Sequence, residues 1–200
     1  SGAEILNKTL GIIGLGKIGS VVAERAIGLG MQIIAYDPFL SEEQAKQMGI
    51  KLGTLDEIFK EADFITLHVP RLTETMNLIN RSTLKKTKPG VRIINASRGE
   101  IIQLDDLYDA VVSGHVAGAA LDVFPQEPPD PGLKILKNPH VVLSPHLGAS
   151  TGEAQENVAR NGVTVNLFRS DLFVATPGRY DVIVFNPPMN PDESEATRLA

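Results

Sequence analysis

The feature that most constrains this chain is the run Gly14-Leu15-Gly16-Lys17-Ile18-Gly19, set between an apolar stretch and a helical pattern. Residues 10–15 are apolar and end at glycines, the pattern of a buried strand. Residues 18–29 place Ile18, Val21, Val22, Ala26 and Leu29 at helical spacing and stop at Gly30. Three glycines at such a junction have separate tasks. Gly14 permits a tight turn, Gly16 lets the backbone approach a pyrophosphate, and Gly19 lets the helix pack closely on the strand. The helix start adds N–H groups and a partial positive charge. A second strand over residues 31–36 closes in Asp37-Pro38. Asp37 follows Gly19 by roughly 18 residues, near the spacing of about 20 at which an acid reads a ribose. A carboxylate there can accept from both ribose hydroxyls and would repel a 2′-phosphate, which favours NAD over NADP. The alternative is a glycine turn with a surface aspartate beyond it; strand, spacing and acid together speak against it.

The rest of the chain repeats the strand-then-helix alternation of a parallel sheet with crossover helices. Strands are expected at residues 64–69, 91–95, 116–123 and 141–144, and helices at 41–48, 54–62, 82–87, 105–112 and 150–160. Thr54-Leu55-Asp56-Glu57 has capping-box spacing, and Pro70 ends the pairing of the third central strand. The expected fold is α/β, a Rossmann-type doubly wound, mostly parallel sheet in three αβα layers. Residues 125–133 are proline-rich and acidic, a rigid rim. Two further strands are expected at 163–168 and 181–185, with a frayed end from Pro187.

Composition narrows the classes. A net charge of −5 offers no electrostatic attraction to nucleic acid or an anionic membrane. No apolar run reaches the roughly 18 residues a bilayer requires, and no basic segment followed by an apolar run opens the chain, so a cytoplasmic protein without a membrane or nucleic-acid partner is expected. Cysteine is absent, which removes disulfides, thiolate metal sites and thiol nucleophiles, and no metal site is read.

Residues 9–39 (TLGIIGLGKIGSVVAERAIGLGMQIIAYDPF) resemble the nucleotide domain of the D-isomer-specific 2-hydroxyacid dehydrogenases, in particular their 3-phosphoglycerate type. Residues 93–101 (IINASRGEI), 117–128 (AGAALDVFPQEP) and 144–155 (SPHLGASTGEAQ) carry the resemblance further, and together are far more specific than the glycine loop. The resemblance implies a catalytic arginine at Arg98, glutamate at Glu127 and histidine at His146. The chemistry suits these types: imidazole exchanges a proton with a hydroxyl near neutral pH, a carboxylate orients it and favours its charged form, and a guanidinium binds carboxylate or carbonyl oxygen through a planar fork. It also implies NAD contacts at Lys17, Ile18, Val69, Ala96, Ser97, Asp122, His146, Leu147, Gly148 and Ala149. A small anionic 2-hydroxy acid would be the substrate, and pairing of two copies through this domain is left open. His68 and His115 are read as structural, and His140 as a strand-start residue.

Two departures from that family stand out. Glu100 replaces a glycine, which would place a negative charge beside Arg98 and weaken substrate binding. The first strand begins near position 10, leaving no room ahead of it for the family's substrate domain of roughly a hundred residues, so strong turnover is not expected from this chain alone. Residues 161–188 (NGVTVNLFRSDLFVATPGRYDVIVFNPP) resemble instead a Rossmann-like amino-group methyltransferase. That resemblance implies Asp171 near an S-adenosylmethionine adenine and Asn186 at the target amine, but Met189 stands where an aromatic residue is usual. The expected organisation is a NAD-binding domain over 1–160 and methyltransferase-like strands over 161–200 extending the same sheet: a chimera, either weakly active or a non-catalytic binding module.

Overall fold

The computed structural model describes residues 3–148. Strand β1 (Thr9–Ile13) leads through the glycine loop into α1 (Lys17–Gly28) and back to β2 (Gln32–Tyr36). Helix α2 (Glu42–Gln47), the short β3 (Lys51–Leu52), α3 (Leu55–Glu61) and β4 (Phe64–Leu67) complete the first half. The second half holds α4 (Arg81–Leu84), β5 (Val91–Asn95), α5 (Leu104–Val112), β6 (Val116–Leu121) and β7 (Val141–Leu143), with 3₁₀ turns at Gly99–Ile101 and Lys134–Lys137.

The seven strands form one sheet in the order β3-β2-β1-β4-β5-β6-β7, every pair parallel. Strand order reverses between β1 and β4. In an open α/β sheet the crevice opens at such a switch point, beyond the carboxyl ends of the strands. Because all strands run the same way, the loops after β1, β2, β4, β5, β6 and β7 gather at that end.

Side chains alternate between the two faces, as a strand's period of two requires. Leu10, Ile12, Ile33 and Ala35 pack with Ala23 and Ala26 of α1 and Ala45 of α2. Ile13, Ile34, Ile65, Leu67 and Ile93 pack with Ile58 and Phe59 of α3 and Leu107 and Val111 of α5. This is the three-layer αβα arrangement expected from the sequence.

The segment between β4 and α4 is sewn to the 3₁₀ turn after β5. Asn77 N–H donates to Glu100 O at 2.9 Å, Ile79 N–H to Ile101 O at 3.0 Å, and Gln103 N–H to Ile79 O at 2.8 Å. The loops of these neighbouring strands are thereby held in register.

The structure differs from the sequence expectation in two ways. Strand β3 was not expected: it has only two residues, no apolar run, and pairs Lys51 with Ile34 and Leu52 with Ala35 at the sheet edge. Strands expected to reach Leu15, Val69, Val123 and Ser144 end at Ile13, Leu67, Leu121 and Leu143, because the chain leaves the ladder early to build the crevice loops. The helix expected at 150–160, the strands at 163–168 and 181–185, and Ala149, Asp171, Asn186 and Met189 lie outside the described residues.

Candidate functional site

The glycine loop is shaped by what its residues lack. Gly14 has φ +94°, and a Cβ there would lie 2.5 Å from His68 O and 2.9 Å from Val69 Cγ1, so the chain just after β4 presses directly on the loop. Gly19 is buried and would strike Gly14 O with any side chain. At Gly16, by contrast, a Cβ would meet nothing within 4 Å. That open space lies in front of the start of α1, where Gly16 is the N-cap, no side chain caps the helix and no acid occupies its first turn. Helices α2, α3 and α4 each begin with a reciprocal capping box instead. A start left without a capping side chain suits an anion. Gly16 and Lys17 are exposed and Ile18 is half-buried.

Asp37 closes the loop from the other side. Its Oδ2 accepts from Leu15 N–H at 2.7 Å and its Oδ1 from Phe39 N–H at 2.9 Å. Each carboxylate oxygen keeps a further lone pair, so the acid can brace the loop and still accept from a ribose. The open approach at Gly16, the helix start and Asp37 thus fit a dinucleotide.

Beyond the switch point, the loops after β6 and β7 bring Glu127 and His146 into contact, and Arg98 stands on the adjoining loop after β5. Asn95, buried at the end of β5, accepts from Ser97 N–H (3.1 Å) and Ser97 Oγ (2.9 Å), and its Nδ2 donates to Arg98 O (2.9 Å). This asparagine turn projects Arg98 outward, exposed, with Nη1 donating to Ser97 O at 2.7 Å. Gly99 is buried behind it. A Cβ at that position would overlap the backbone of Phe124 and Pro125, so the arginine loop and the loop after β6 touch main chain to main chain.

The loop after β6 carries Glu127, whose Oε1 accepts from Phe124 N–H at 3.1 Å and whose Oε2 pairs with His146 Nδ1 at 2.8 Å. Both side chains remain about two-fifths exposed, 42% for His146 and 40% for Glu127. His146 itself sits at φ +51°, uncommon for a residue other than glycine. Asp122 holds it there: buried at the end of β6, its Oδ1 accepts from His146 N–H at 3.1 Å and from Ser144 Oγ. Val69, Ala96, Ser97 and Gly148 are half-buried on the same rim, and Leu147 is exposed.

Sequence reasoning missed Asn95 and Ser144. Asn95 is signalled by its place at a strand end two residues before a serine, the pattern of an Asx turn; nothing local marks Ser144 as a partner of Asp122. The charge expected to burden Arg98 is engaged elsewhere. Glu100 Oε1 pairs with Arg71 Nη1 at 3.1 Å, a contact between residues of different loops that spacing along the chain does not reveal.

His68 sits beneath the glycine loop, and burial pushes its pKa down to about 4; its Nε2 meets Thr66 Oγ1 at 3.0 Å. His115 Nε2 meets Leu84 O at 2.8 Å and Thr87 Oγ1 at 3.1 Å, tying α4 to the turn before β6. Among the described residues no cluster of three metal-ligating side chains occurs, and no helix is long and apolar enough to cross a membrane.

Comparison with known proteins agrees with this geometry. Residues 1–148 match the profile of the D-isomer specific 2-hydroxyacid dehydrogenase, NAD binding domain. The chain is 51% identical over 198 residues to a D-3-phosphoglycerate dehydrogenase of Synechocystis sp., covering 98% of this chain and 34% of that protein. It is 53% identical over 158 residues to one of Bacillus subtilis, covering 79% and 30%. It thus spans about a third of the length of the curated relatives it matches. A D-lactate dehydrogenase from Aquifex aeolicus, solved with NAD and lactic acid, superposes with TM-score 0.72 at 36% identity over 78% of this chain and 51% of that one. The holo D-mandelate dehydrogenase of Rhodotorula graminis does so with TM-score 0.75 at 32% identity, over 80% and 47%. Residues 133–200 match a second profile, the methyltransferase small domain. From the glycine loop to His146, then, this chain belongs to the family of NAD-binding domains of the D-isomer-specific 2-hydroxyacid dehydrogenases.

Proposed function

We propose that residues 1–160 form the coenzyme half of a 3-phosphoglycerate-type dehydrogenase. The observation that carries this is the 2.8 Å contact between His146 Nδ1 and Glu127 Oε2, on the rim that also bears Arg98 and the glycine loop. Gly14, Gly16, Lys17, Ile18, Gly19 and Asp37 would hold the adenosine diphosphate portion of NAD. Val69, Ala96, Ser97, Asp122 and residues 146–149 would line the nicotinamide end. When bound, the nicotinamide supplies the hydride acceptor for a 2-hydroxy acid.

The chain's own groups do the rest. With Nδ1 held by Glu127, His146 receives the hydroxyl proton at Nε2, and Glu127 stabilises the imidazolium that results. Arg98 anchors the substrate carboxylate through its fork of donors. Asp122 and Asn95 position the two backbones that carry them. General acid–base assistance of this kind is typically worth about 10²–10⁴ in rate. The exposure of His146 and Glu127 leaves them facing water until a further domain covers them, so weak turnover is the expected behaviour of this chain.

The match of residues 133–200 to a methyltransferase profile supports a second reading, in which residues 161–200 come from that source and extend the sheet. Titration with NADH, NADPH and S-adenosylmethionine separates the two, followed by assay with 3-phosphoglycerate and 3-phosphohydroxypyruvate. The dehydrogenase reading expects NADH to bind best and His146→Ala to abolish whatever turnover is seen. Binding of NADH with no turnover identifies a coenzyme-binding module; preference for S-adenosylmethionine overturns the assignment.

A further inference from the structure

Arg71 and Glu100 lie on the loops of two neighbouring strands, one after β4 and one after β5 beside Arg98. Their ion pair is 3.1 Å long, with the glutamate side chain 24% and the arginine side chain 58% exposed. A pair this open adds little to stability. Its position matters more. The main chain of Glu100 is fixed by Asn77 N–H, so the carboxylate can only swing about its own bonds. Its Cα stands two residues from that of Arg98, which chain geometry limits to roughly 7 Å. An unpartnered carboxylate there would oppose any anion approaching the Arg98 guanidinium.

We propose that Arg71 is a positioning residue that draws the Glu100 carboxylate away and neutralises it, keeping Arg98 receptive to a substrate carboxylate. The inference rests on the assignment of Arg98 as the anion site. It adds a cation on the β4 loop as the counterpart of the glutamate on the β5 loop: removing either charge alone unbalances the site, and removing both restores it.

The test follows the Arg98 Nε–Hε resonance of ¹⁵N-arginine-labelled chain during titration with oxamate, a carboxylate resembling a 2-oxo acid, with and without NADH. The parent chain is expected to bind oxamate saturably. Arg71→Ala should weaken it about threefold at low salt, the effect of one unscreened charge at several ångströms, and the difference should vanish near 0.5 M NaCl as screening shortens. Arg71→Ala with Glu100→Gln should bind as the parent does. A merely structural role for Arg71 would persist in salt and would not be rescued by neutralising Glu100. The inference is overturned if Arg71→Ala binds oxamate like the parent, if its defect survives high salt, or if the double variant stays weak. No oxamate response in a parent chain that binds NADH overturns both this inference and the Arg98 assignment. Failure of NADH alone strikes the coenzyme reading and leaves the oxamate comparison valid.

Discussion

His68 shows how one residue can support the site without joining its chemistry. It lies under the glycine loop, its carbonyl against Gly14, and burial lowers its pKa to about 4. An unfolded chain has an ordinary histidine near 6.5, so between pH 6.5 and 4 the unfolded state takes up a proton that the folded state refuses. Stability from this residue is therefore complete above pH 6.5 and is lost as pH falls toward 4, by about 3 kcal/mol in all. Urea unfolding at pH 7, 5.5 and 4.5 should show this slope in the parent and a shallower one in His68→Gln; equal slopes would rule it out. Asp63 adds in the same direction at lower pH. Burial raises its pKa, but the Lys88 side chain at 2.7 Å and Thr9 N–H at 2.9 Å outweigh that and leave it low, so its contribution disappears only under more acid conditions.

At the scale of elements, the sequence was most legible where local chemistry decides the outcome. Thr54 with Glu57 announces α3, and Asp37 at the tip of β2 announces the ribose side of the crevice, because each signal lies within a few residues of what it controls. Elements fixed by distant partners were not legible: β3 exists only because β2 offers an edge, and Arg71 meets Glu100 only because two loops are sewn together. Helix α4 is an intermediate case. Four residues cannot sustain a helix by propensity, and Asn80 supplies what is missing. Its Oδ1 accepts from Ser82 N–H at 2.8 Å and Thr83 N–H at 3.2 Å, and its Nδ2 donates to Asn77 O at 2.7 Å. Asn80→Ala should cost about 1 kcal/mol and Asn80→Asp should recover most of it, read from urea midpoints.

For the molecule as a whole, the parallel order gathers the loops that carry the proposed site residues at one end of the sheet. This organisation predicts how the chain responds to shortening. Deleting residues 162–200 should leave NADH affinity within about twofold of the parent, since the switch point lies between β1 and β4; if residues 161–200 extend the sheet, as proposed above, the deletion also lowers stability or solubility. Calorimetry and thermal unfolding of both chains check the two halves of that statement. A truncated chain equal to the parent in every respect would count against the tail extending the sheet. Gly99 sets a different kind of limit on change. With only a hydrogen at its α-carbon, the arm bearing the guanidinium and the arm bearing the carboxylate partner of imidazole lie flush, like two boards planed to meet. Side chains around that seam can be exchanged to suit another acid, but even one methyl group set into it would wedge the arms apart and spoil the gauge between them.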